Sequence, residues 1–191
     1  MVEPERVAVP ADPRDFAGAF RYRRLIEVRF ADTDAMGHVN NAAYLTYCEM
    51  ARAGYYEQVT GRQLPLATHG ASESMILAEA RITYRSPAFF GETLTIEGRV
   101  GRVGRTSFTQ EYRLTAPDSR YGRARLIAVA DSVQVMYDYV RECPIEVPPE
   151  LVVAFEAFEG RRLRPPEEAI SATSRDSRTD GRRGTPSTPL A

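Results

Sequence analysis

Between residues 21 and 30 apolar side chains alternate with polar ones, apart from the Arg23-Arg24 pair. Ile26, Val28 and Phe30 lie on one side, Glu27 and Arg29 on the other. This alternation predicts a half-buried strand. From Ala42 to about Val59 the period changes. Tyr44, Tyr47, Cys48, Ala51 and Tyr55 recur at steps of three and four, while Thr46, Glu49, Arg52 and Glu57 fall largely elsewhere. The spacing predicts an amphipathic helix of about 27 Å, the only long one in the chain. Asn40 or Asn41 suits its N-cap, and Gly61 suits its end. Residues 62–73, with Pro65, His69 and Gly70, read as a loop. Alternation then returns in Met75–Arg85, Thr93–Val103, Thr106–Thr115 and Gly122–Tyr139. Pro87 and Gly91, then Gly101–Arg105, then Pro117–Ser119 punctuate these segments. Such short connections predict antiparallel pairing. A short amphipathic helix is expected from Pro148-Pro149 to Phe158.

One long helix and a five-stranded antiparallel sheet make an α+β domain. A helix covers one face of such a sheet. The exposed edge is best met by homodimerisation through an edge strand. Residues 1–20 carry Pro, Asp, Glu and Arg without clear periodicity and are expected to be a partly disordered extension. From about residue 159 the composition turns to Arg, Ser, Thr, Pro and Gly, which reads as a disordered tail over 159–191. The folded domain is expected over 21–158.

Composition removes several functions. The formal charge is −1 over 191 residues, so nothing drives the chain toward nucleic acid or an anionic membrane. No apolar run approaches the ~20 residues that span a bilayer. No secretory signal opens the chain, and two cysteines make no disulfide framework, so a cytoplasmic location is expected. All 25 basic residues are arginine. Without lysine there is no Walker-type P-loop and no Schiff base. Two histidines and no Cys-x-x-Cys pair argue against a metal site, and a Gly-x-Ser-x-Gly elbow is absent.

Chemistry concentrates in Phe30-Ala31-Asp32-Thr33-Asp34-Ala35-Met36-Gly37-His38-Val39-Asn40-Asn41-Ala42-Ala43-Tyr44. Two carboxylates, a glycine, a histidine and two asparagines immediately precede the long helix. Backbone N–H groups and the helix dipole favour negative charge there. Asp34 is the candidate carboxylate, either as general base or as nucleophile. Gly37 supplies backbone geometry, and His38 orients water or packs within the loop. Asn41, with the Asn40–Ala43 helix start, is the candidate oxyanion site. Asp32 reads as a turn residue, and mid-helix Cys48 lacks a partner base.

Strand, Asp-x-Asp-x-x-Gly-His-Val-Asn-Asn-x-x-Tyr, long helix and strand meander together resemble the hot-dog fold acyl-CoA thioesterases. The closest-looking branch is the one that includes 4-hydroxybenzoyl-CoA thioesterase. Tyr84-Arg85-Ser86-Pro87-Ala88, Gly91-Glu92, Gly104-Arg105-Thr106-Ser107-Phe108, Gln134–Asp138 and Ile145–Pro148 agree in order. The resemblance covers residues 21–158. It implies one long helix wrapped by a five-stranded antiparallel sheet, and a homodimer or dimer of dimers with sites at the subunit interface. It also implies hydrolysis of an acyl-CoA without a cofactor or metal, with Asp34 as the catalytic carboxylate. Other branches place a glutamate on the helix, for which Glu49 is a distant candidate. The coenzyme A phosphates call for arginine. Arg85, Arg102 and Arg105, with Thr106 and Ser107 beside the last, are the expected contacts.

Two other functions compete. A non-catalytic acyl-CoA sensor on the same fold needs no Asp34. A metal-dependent phosphohydrolase also begins with Asp-x-Asp, but on a continuously apolar strand, and Ile26-Glu27-Val28-Arg29-Phe30 alternates instead.

Overall fold

The computed structural model describes residues 20–65, 72–116 and 124–165. Strand β1 (Tyr22–Glu27) leads through a 3-10 turn, Phe30–Asp32, to helix α1 (Asn41–Thr60). Strands β2 (Glu73–Tyr84), β3 (Thr93–Val103), β4 (Ser107–Ala116) and β5 (Arg125–Asp138) follow. A two-residue strand β6 (Cys143–Pro144) and helix α2 (Pro149–Glu159) complete the described fold. The sheet is antiparallel in the order β1-β3-β4-β5-β2, with β6 added to β5. This is the α+β arrangement expected from the sequence, a meander with one long helix against it.

Helix α1 buries Tyr44, Tyr47, Cys48, Ala51 and Tyr55, the face its periodicity marks. The helix lies mainly over β1 and β3 and meets α2. Leu94, Ile96, Val100, Leu114 and Phe108 on the sheet complete this core, with Phe155 of α2 packed at its far end. Bulges interrupt the ladders between Leu77 and Glu79, Val100 and Arg102, and Leu114 and Thr115. Each adds local twist, which helps the sheet curl around the helix. Beside the β3 bulge, Val100 N–H donates to the buried Glu159 carboxylate at 3.0 Å, and Tyr55 Oη donates to the same oxygen at 2.6 Å. The strap from α2 to β3 is thus tied by charge-assisted bonds.

Three expectations change. The first strand stops at Glu27 rather than Phe30. Val28 stays buried, but Phe30 is 76% exposed. The cause is local: the Arg29 N–H donates to the Asp32 carboxylate at 2.9 Å, while Phe30 C=O accepts from Thr33 N and Thr33 Oγ1. Next, the packed chain runs past residue 158. Leu163 is buried, its C=O accepts from Val103 N at 3.0 Å, and Arg161 donates to Val100 C=O at 3.0 Å. Apolar burial of one leucine overrides the polar composition around it. Finally, the short β6 falls where the sequence shows only an exit from the last strand. Residues 1–19, 66–71, 117–123 and 166–191, which include His69, the Pro117–Ser119 turn, most of the extension and most of the tail, lie outside the described residues.

Candidate active site

The loop between β1 and α1 is held at several points. A single bridge pairs Thr33 with Val39. Asn40 N donates to Asp32 C=O at 2.8 Å, and Val39 N to Ala88 C=O at 2.8 Å. Between these anchors Asp34 N bonds His38 C=O, and Gly37 N bonds Asp34 C=O, both at 3.0 Å. Gly37 has φ 80°, in the left-handed region, so a side chain there would strain the turn.

The two aspartates differ in their surroundings. Asp32 is buried and accepts from Arg29 Nη2 at 2.7 Å, Arg29 Nε at 3.2 Å and Arg29 N. The Arg29 guanidinium holds its carboxyl below the usual range, with the Tyr47 hydroxyl contributing. Asp34 is partly exposed. Its Oδ1 accepts from Met36 N at 2.9 Å, an Asx-turn bond. The same oxygen stands 3.9 Å from His38 Nδ1. Among the described residues Asp34 Oδ2 accepts no hydrogen bond. One oxygen therefore fixes the carboxylate while the other is left for chemistry. His38 Nδ1 lies 3.2 Å from Val39 C=O. A carbonyl only accepts, so this contact favours a proton on Nδ1 and, in the neutral ring, a lone pair on Nε2.

Asn40, rather than Asn41, is the N-cap. Its Oδ1 accepts from Ala42 N at 2.9 Å and its C=O from Ala43 N at 2.9 Å. The helix start expected to offer a row of donors is thus partly spent. Among the described residues the Asn41 N–H has no acceptor. Tyr84 of β2 donates to Asn41 C=O at 3.0 Å, and Tyr44 Oη accepts from Ala88 N at 3.3 Å. His38, Asn41, Tyr44, Tyr84 and Arg85 line a cleft of about 270 Å³. A larger cavity of about 430 Å³ opens between α1 and the β2–β5 side of the sheet. Burial pushes the Cys48 thiol up to about 12, so it stays protonated beside that cavity.

Of the expected phosphate contacts, only Arg85 joins this cleft. Arg102, Arg105, Thr106 and Ser107 lie around the β3–β4 turn. Strand β3 begins near the Asp34 loop, where Val28 N meets Glu92 C=O, and its eleven residues take ten steps to Val103. At about 3.3 Å per residue the turn stands roughly 33 Å from that end. Within one chain the two groups are apart. Arg105 pairs at the surface with Glu146 at 3.5 Å, and Arg102 lines a groove beside Arg162 and Arg164.

A family model described as Thioesterase-like superfamily matches residues 28–155. This chain belongs to that superfamily. It is a thioester hydrolase on the hot-dog fold. A 1,4-dihydroxy-2-naphthoyl-CoA hydrolase of Synechococcus elongatus is 30% identical over 99 residues, spanning 50% of this chain and 69% of that protein. A thioesterase from Thermus thermophilus, whose crystal structure holds coenzyme A and Zn, matches with a TM-score of 0.62 and 29% identity, over 75% of this chain and 98% of that one. A 1,4-dihydroxy-2-naphthoyl-CoA thioesterase from Synechocystis shares the fold at a TM-score of 0.60 and 19% identity, over 70% of this chain and 94% of that one. Among the described residues no helix is long and apolar enough to cross a membrane.

The thioesterase fold carries support that the sequence reading missed. Arg29 clamps Asp32, Tyr84 reaches across to the helix start, and Arg125 braces the β2–β3 connection. The Arg125 guanidinium pairs with the buried Glu92 at 2.6 Å and donates to Pro87 C=O. Glu92 in turn accepts from Phe89 N. The ordinary strand alternation around Arg29, Tyr84 and Arg125 hides these roles, since each is fixed by a partner brought in by the fold or the turn.

Proposed function

We propose that the chain hydrolyses an acyl-CoA at the Asp34 loop. The observation that carries this reading is the pairing of a turn-locked carboxylate, one oxygen unspent, with an unspent N–H at the start of α1. Asp34 Oδ2 takes a proton from water that attacks the thioester carbonyl, or attacks that carbon itself to form an anhydride that water then opens. In both routes the C–S bond breaks, coenzyme A leaves as the thiol and the acid is released. The Asn41 N–H holds the carbonyl oxygen as negative charge develops on it. His38, presenting Nε2 as acceptor, orients the water.

Self-association completes the site in this reading. Strand β2 is a twelve-residue edge with Leu77 and Tyr84 exposed, beside Leu45 of α1. A long exposed edge of this kind favours pairing with its own copy. Antiparallel β2–β2 pairing turns the second copy end for end. Arg105, Thr106 and Ser107 of the partner subunit then come to the same end as this chain's Asp34 and Arg85, about 14 Å from β2 by strand spacing. The nucleotide of coenzyme A spans that gap between the two sets of residues.

The experiment is free-thiol release from a panel of acyl-CoAs by wild type and Asp34→Asn. Turnover by wild type and a loss of a hundredfold or more in the folded variant, about 2.7 kcal/mol in barrier, supports the reading. Binding without hydrolysis replaces it with a non-catalytic acyl-CoA-binding module.

A further inference from the structure

The larger cavity, between α1 and the β2–β5 side of the sheet, has apolar walls that include Leu45, Leu77, Ala80 and Ala130. One charge is set deep among them. The Arg52 side chain lines the cavity and is 12% exposed. Among the described residues its guanidinium makes one hydrogen bond, from Nη2 to Glu49 Oε1 at 3.3 Å. Glu49 itself stands in solvent, its side chain 68% exposed. A guanidinium carries several N–H donors in a fixed fork and does not give up its charge. A charge so far out of water is ordinarily matched by a close carboxylate and further acceptors. Arg52 has one long bond to a carboxylate that water solvates. The other lining charges, Arg81 and Asp131, stand opposite each other across β2 and β5, and Arg81 pairs with Glu79 at 3.1 Å. They alternate with the inward Ala80, Ala130 and Ser132, so they turn to the other face of the sheet.

The position of Arg52 relates it to the proposed site. Asn41, Leu45, Cys48 and Arg52 follow one another at steps of four, three and four, so they share a stripe of α1 that leads from the proposed oxyanion donor into the cavity. From Asn41 to Arg52 the helix rises about 16 Å, and an arginine on a helix leans back toward the N-terminus, which shortens the gap. The sheet gives a similar length. Tyr84, whose hydroxyl reaches Asn41 C=O, pairs with Ala128, and Ala80 pairs with Ser132. From Tyr84 to Ala80 the strand runs about 13 Å. There Ser132 Oγ lies 3.3 Å from Tyr112 Oη, whose proton goes to Gln110 Oε1. Burial pushes the Tyr112 hydroxyl up, against the pull of Ser132 and Arg52, so it stays neutral. The Cys48 thiol stays neutral as well. Neither opposes a second anion beside Arg52.

We propose that this cavity receives an acyl group that ends in a second carboxylate, the mono-thioester of a dicarboxylic acid, and that Arg52 binds that end. This inference rests on the thioesterase reading and names the acyl class. With its thioester at Asn41, a chain of medium length brings its far end to the guanidinium. A guanidinium offers a carboxylate two parallel N–H bonds. The substrate carboxylate takes the place that Glu49 fills through one. A chain that ends in a methyl group leaves those donors buried without acceptors, and a site rejects an analogue on such grounds far more strongly than an apolar pocket rejects a lost methylene.

The test uses the full chain and pairs of equal chain length: octanedioyl-CoA with octanoyl-CoA, and dodecanedioyl-CoA with dodecanoyl-CoA. For wild type, kcat/KM favours the diacid member of at least one pair by about tenfold or more. Arg52→Met, which keeps an unbranched side chain without the charge, brings that ratio to one or below, with folding checked by thermal melting. A second measurement needs no variant: free octanedioate inhibits wild-type hydrolysis more strongly than free octanoate does. Equal rates within both pairs, a preference for the plain members, equal inhibition by the two free acids, or an Arg52→Met that slows both members by one factor overturn the proposal. The last result would mean that Arg52 only braces the helix surface. Turnover of the plain acyl-CoAs alone removes this inference and leaves the thioesterase reading standing; absence of thiol release from every acyl-CoA overturns both.

Discussion

Asp32 and Asp34 stand two residues apart and divide the work of the loop. Asp32 fixes its base through Arg29 and through Asn40 N. Its carboxyl is depressed in the folded state, chiefly by the hydrogen bonds from Arg29. A depressed carboxyl stabilises the fold above its unfolded pKa, about 3.9, and that contribution is lost as pH falls through the lower folded value. Asp32→Asn should therefore melt below wild type at neutral pH, with the gap closing as pH drops under about 4. Melting temperature against pH checks this; a gap that stays constant would mean the charge contributes nothing. Asp34 lacks such a clamp on Oδ2, the condition a reacting oxygen needs. Its spacing was legible in the sequence. Its difference from Asp32 depended on Arg29, which the strand alternation had assigned to a solvent face.

At the scale of elements, α1 positions the site through its first turn. Asn40 caps it and consumes the Ala42 and Ala43 donors. Asn40→Ala should cost about 1 kcal/mol of stability. It should also lower kcat beyond what that loss explains, because the Asn40 side chain anchors the turn next to Asn41. Asn40→Asp should recover most of both, since an aspartate caps as well. Thermal melts beside thiol-release rates separate the two effects; an unchanged kcat in Asn40→Ala would detach the cap from the chemistry. The helix and its buried tyrosine face were legible because periodicity follows from burial on one side. The 3-10 turn at Phe30–Asp32 was not, because apolar alternation continued through Phe30 while side-chain bonds bent the backbone.

For the whole molecule, the edge strand carries the weight. Leu77 in the middle of β2 is exposed in a single chain. A charge there opposes edge pairing. Leu77→Lys should give a monomer by sedimentation with the far-UV spectrum intact, and hydrolysis should fall because the proposed coenzyme contacts then sit at opposite ends of one chain. A variant that stays dimeric and active would show that β2 is not the interface.

The order of elements, the helix start and the position of the candidate loop were set by local pattern: period two for strands, period three to four for the helix, and a dense polar run between them. These depend on neighbours a few residues away, so one sequence is enough to read them. The partners of Arg29, Arg125, Glu159 and Tyr84 were decided only by the fold. Most of those pairs bridge residues tens of positions apart, and even the three-residue step from Arg29 to Asp32 closes only because the chain turns there. Hydrophobic periodicity tells which side of an element is buried; it does not tell which residue will stand opposite.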